Sequence, residues 1–153
     1  MAWITLNLRH KSLNPEINNL EKADMQYSRD IRQIHRHLSL EKARINAAKK
    51  KEINEATKEY KELRDQREER KEDKDYLQEL ADAKEKAEEK KNDINDYYDT
   101  KNSDVEEEAT DDENYIQELQ STIEAQLEAI RNENQVVKEQ RSKDISEEKI
   151  NLA

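Results

Sequence analysis

The sequence predicts an all-α protein: a long amphipathic helix, a shorter C-terminal helix forming a coiled-coil hairpin or rod with it, and a short extended N-terminal arm. Three observations carry that prediction. Of 153 residues, 43% are charged and only 32% are hydrophobic, which is too little apolar material to close a compact core in a chain this long. There is no glycine and a single proline, Pro15, so primed hairpin turns, phosphate-cradling loops and oxyanion elbows lack the residue they need. The apolar residues that remain recur at spacings of three and four, the period of a helix face.

The arm comes first. From Trp3 to His10 the residues alternate, with Ile4, Leu6 and Leu8 on one side and Thr5, Asn7 and Arg9 on the other, which reads as a strand. No second strand pattern follows, so residues 1–13 are expected to dock on a neighbouring chain. Asn14, Pro15 and Glu16 then read as a helix start: a capping side chain, a proline at the first helical position and an acid at the positive end of the dipole. A long helix is predicted over 14–98. Its stripe is Ile17, Leu20, Tyr27, Ile31, Ile34, Leu38, Ile45 and Ala48, continued after a one-residue slip by Ile53, Ala56, Tyr60 and Leu63.

Between Arg64 and Lys91 the stripe thins, and opposite charges four residues apart, such as Lys58 with Glu62 and Lys71 with Asp75, are expected to sustain a solvated helix. An acidic turn is predicted over 99–114, where eight acids face one lysine and Ser103 to Glu106 and Thr110 to Glu113 each read as a capping box. A second helix over 115–141 carries Ile116, Leu119, Ile123, Ile130 and Val137, and a tail over 142–153 is expected to fray. Folded back at that turn, the second helix would cover residues 61–91. The stripe from Ile17 to Leu63 would then need a partner outside the chain, either a copy or another coiled-coil protein.

Charge follows the same division. Residues 27–51 hold eight bases and two acids, whereas residues 92–135 hold fourteen acids and two bases. Opposite-sign segments set far apart in one extended chain can pair between staggered neighbours, which fixes register. Arg29, Arg32, Arg36, Lys49 and Lys50 are the expected basic rim of such an assembly, and Glu106, Glu107, Asp111 and Asp112 its acidic rim. The assembly seam is expected to use Trp3, Ile4, Leu6, Leu8, Ile17, Leu20, Tyr27, Ile31, Ile34, Leu38, Ile45, Ile116, Leu119, Ile123, Ile130 and Val137.

Chemistry is sparse. The net charge of −10 disfavours nucleic acid, and the basic stretch around His35 and His37 matches no DNA- or RNA-binding motif. His35 and His37 are two apart, so a helix splays them away from a shared metal. The run Asp93, Asn95, Tyr97, Asp99, Asp104 departs from a calcium loop, with Tyr98 where the sharp turn requires glycine. No cysteine, no signal-peptide pattern and no long apolar run is present. These features point to a non-enzymatic structural subunit without cofactor that assembles with itself into a filament, tube or virion-type assembly. A helical adaptor or stalk in a larger machine is the other reading. Neither membrane insertion nor nucleic acid is expected, and the location is cytoplasmic, within a virus particle or reached by leaderless export.

Overall fold

The computed structural model describes residues 2–152; the side chains of residues 2–4, 7 and 152 lie outside the described set. Among the described residues all regular structure is helical: α1 (Ala2–Ala56), α2 (Lys58–Asp65) and α3 (Tyr76–Leu152). The protein is all-α, as the spacing predicts, with α3, at 77 residues, longer than the 55-residue α1.

The N-terminal segment is helix rather than an extended arm. Leu6, His10, Leu13 and Ile17 follow a 4-3-4 spacing and are all shielded, with Leu13 at 0% exposure, while Leu8 is 63% exposed. The period-two pattern was a coincidence of a helical row with outward residues. Pro15 therefore lies inside α1, where it withholds the N–H that Lys11 C=O would accept. The side chains of Trp3 and Ile4, expected on a neighbour, lie outside the described residues.

The chain reverses at residues 66–75, not at 99–114. Gln66 to Asp75 contains no apolar residue, so nothing there gains from a packed helix face. Short-range bonds replace the helix ladder, among them Arg67 N–H to Arg64 C=O at 3.2 Å and Asp73 N–H to Arg70 C=O at 3.1 Å. The acidic stretch stays helical because its shielded row is unbroken: Tyr98, Asn102, Val105 and Ala109 recur at 4-3-4. The expected second helix over 115–141 and the tail over 142–153 are parts of α3 through Leu152. The helix expected over 14–98 ends at Asp65, with a step at Thr57, whose Oγ1 donates to Ile53 C=O at 2.8 Å.

Two compact units result. One comprises His35–Thr110 and the other Met1–Ile34 with Asp111–Ala153. Within the first, successive partners along α1 run backwards along α3, from Lys42–Glu106 through Lys49–Asp99 to Glu52–Tyr98. This unit is an antiparallel helical hairpin. The second is also an antiparallel helix pair, with Arg9 on Glu133, Glu21 on Arg131 and Asp24 on Gln120.

Candidate interaction surfaces

The hairpin unit hides its apolar row between its helices. Leu38, Ile45, Ile53 and Leu63 of α1 and α2 are half-buried, and Tyr76, Ala83, Ala87 and Tyr98 of α3 are buried. Polar groups punctuate this seam. Tyr98 Oη donates to Glu52 Oε1, and that bond, helped by burial, pushes the phenol up to about 12. Asn102 Nδ2 donates to Asn46 Oδ1 at 3.1 Å, whereas its own buried Oδ1 has no hydrogen-bond partner.

The helix-pair unit repeats the arrangement. Ile17, Leu20, Tyr27, Ile31 and Ile34 are half-buried, as are Ile116, Leu119, Ile123 and Ile130, with Leu127 and Val137 buried. His10 Nδ1 donates to the Asn134 amide oxygen at 2.8 Å, and Gln120 Nε2 bonds both Asp24 and Ser28 at 3.0 Å. Arg9 grips Glu133 with two bonds, at 2.7 and 2.9 Å, which holds the Glu133 carboxyl below the usual carboxylate range and raises Arg9. An open groove of about 670 Å³ runs beside Met25 and Leu127, edged by Glu21, Asp24, Glu124 and Glu128.

The expected assembly seam is thus largely covered from within the chain. The premise that the stripe from Ile17 to Leu63 lacks an internal partner is overturned within each unit, where its residues face α3. Leu13 and Asn134 belong to this seam and were missed. Leu13 was readable from its four-residue distance to Ile17, while a buried asparagine gives no apolar signal.

The charged rim divides. Lys49 Nζ lies 2.7 Å from Asp99, and Lys42 pairs with Glu106, so part of the opposite-sign code is read within the hairpin. Arg29, Arg32, Arg36, Lys50, Glu107, Asp111 and Asp112 are exposed. In the hairpin unit, the face of α1 turned away from the seam carries Arg36, Leu40, Ala43, Ala47, Lys50 and Lys51, all exposed. The corresponding face of α3 carries Asp82, Glu85, Glu89, Asp93, Asp96 and Glu107, also exposed. Each row is of one sign. The outer face of α3 in the helix-pair unit differs, with Glu118, Thr122, Ala125, Ala129 and Val136.

At the turn, Arg70 organises a local cluster. It bonds Asp73 and, at 2.8 Å, Glu79, and its guanidinium stands 5.0 Å from the Tyr76 ring centroid. Arg70 holds Asp73 below its ordinary value, helped by the Asp75 N–H at 3.0 Å. The Tyr76 hydroxyl donates to Leu63 C=O, joining the last turn of α2 to the first of α3. Of the expected four-residue pairs, Lys58 with Glu62 is present at 3.8 Å, while Lys71 turns instead to Glu68.

Among the described residues no cluster of His, Asp or Glu is arranged to hold a metal ion, and no helix is long and apolar enough to cross a membrane. The chain matches no known family, no curated protein and no solved structure.

Proposed function

We propose that this chain is a non-enzymatic structural element whose antiparallel helix pairs build a larger assembly by coiled-coil packing and by docking charged outer faces. The supporting observation is what the fold leaves available. The seam row is shielded between α1 and α3 within each unit, so in the hairpin unit the outer faces offered to a partner carry charge of a single sign each, the α1 face with exposed Leu40 at its centre. Such surfaces contribute register and encounter rate more than raw affinity, which suits reversible, ordered assembly. A filament, tube or virion-type structure fits this behaviour.

The closed seam favours a second reading, a helical adaptor or stalk that stands alone and bridges other proteins, because no internal stripe compels a copy to bind. Light scattering after size exclusion, read with circular dichroism, separates the two. Assembly predicts a helix-rich chain whose mass exceeds 18.2 kDa at low salt and falls toward it as salt screens the faces. A helical chain of 18.2 kDa at every salt concentration supports the adaptor. A chain with little helix overturns both.

A further inference from the structure

The hairpin unit presents two rows of opposite sign on opposite sides. Because α1 and α3 each turn their shielded row toward the other, their outer faces point in opposite directions. From Arg36 to Lys51 the α1 row spans on the order of 23 Å, and from Glu85 to Glu107 the α3 row spans on the order of 33 Å. Among the described residues Arg36, Lys50 and Lys51 form no ion pair within the chain, and neither do Glu89, Asp93, Asp104 and Glu107. The α1 row also has an apolar centre: Leu40, 55% exposed, followed by Ala43 and Ala47, whose small side chains let another helix approach closely. A shallow groove of about 490 Å³ continues along Ala47, Lys50, Lys51 and Asn54.

We infer that the basic outer face of α1 in the hairpin unit binds the acidic outer face of α3 of a second copy, the two copies being related by translation. This rests on the structural-element reading and names its contact. In an antiparallel register that lays Leu40 against Thr100, Arg36 meets Asp104 and Lys51 meets Glu89. The Thr100 hydroxyl already bonds the Asp96 C=O at 2.8 Å, so covering it leaves no polar group stranded. A twofold axis would instead set basic row on basic row, which repels. A translated copy leaves one basic and one acidic face free at the ends, so the contact does not close and growth continues.

The test is a charge exchange. One variant, Arg36→Glu with Lys51→Glu, reverses the two basic contacts of that register; the other, Glu89→Lys with Asp104→Lys, reverses the two acids set opposite them. All four sites are exposed, and unchanged circular dichroism confirms that each variant folds. At low salt the parent protein is expected to rise above 18.2 kDa with concentration, each variant alone to stay at 18.2 kDa, and an equimolar mixture to regain the parent's mass. Leu40→Ala, which leaves every charge in place, should raise the half-assembly concentration roughly tenfold. Variants that assemble alone as the parent does would overturn the proposed faces. A parent that assembles while both variants still assemble alone leaves the structural-element reading standing without these faces, whereas a helical parent that stays at 18.2 kDa at every salt concentration overturns docking on a second copy and turns the reading to the adaptor.

Discussion

At the scale of single residues, two titrating groups tie the helices together, and they act at opposite ends of the pH range. Glu133 is held below its ordinary value by the bonds from Arg9. Its contribution is therefore fully present above the ordinary glutamate range and is lost as pH falls through the lowered value. Tyr98 is pushed up to about 12 by its bond to Glu52, so its contribution holds below the ordinary tyrosine range and is lost as pH climbs toward 12. Thermal melts across pH should show both limbs, with Glu133→Gln flattening only the acid one and Tyr98→Phe only the alkaline one. Little of this was legible. The seam apolars Ile17 through Ile45 announce themselves by spacing, whereas Arg9, Glu52 and Asn134 acquire their roles only from the residue placed opposite, which no local pattern encodes.

At the scale of elements, Pro15 is the outlier. An interior proline removes one backbone bond and crowds the preceding turn, at a cost of about 3 kcal/mol in an exposed helix. The packing of Leu13 and the Arg9–Glu133 contact nonetheless carry α1 through it. Pro15→Ala is accordingly expected to stabilise the protein by about 1–3 kcal/mol, measured as a rise in denaturation midpoint. A drop would mean that the helix requires a kink there. The same element shows why the arm and the turn were misplaced in the sequence. Capping signals at Asn14, Ser103 and Thr110 are real local preferences, yet each is outvoted by an unbroken shielded row passing through it. The true turn is marked by the reverse, ten residues from Gln66 to Asp75 with nothing to bury. For the long helices, missing hydrophobicity was a better boundary signal than present caps.

At the scale of the molecule, partner spacing is graded. Within the hairpin unit Leu63 bonds Tyr76 across 13 positions, Glu52 bonds Tyr98 across 46 and Lys42 bonds Glu106 across 64. Within the helix-pair unit the separations are 92 for Ser28–Gln120, 110 for Glu21–Arg131 and 124 for Arg9–Glu133. Closing a long loop costs entropy that a preformed shorter one has already met, so pairing should start at the turn and spread outward. Pulse-labelled hydrogen exchange during refolding is expected to protect amides of residues 38–63 and 76–105 before those of residues 6–34. Simultaneous protection would show that the two units form together.

That gradation also sets a schedule for the chain as it is synthesised. Leu63 needs only 13 more residues before its partner exists, but Arg9 must wait for 124. At roughly 5–20 residues per second, the amino-terminal third of α1 leaves the ribosome about 6–25 s before its partner strip is made. Through that interval Leu6, Leu13, Ile17 and Leu20 are open to whatever else is nearby, including other nascent copies and chaperones. The order of the two helices along the chain thus leaves the start of α1 uncovered for longest.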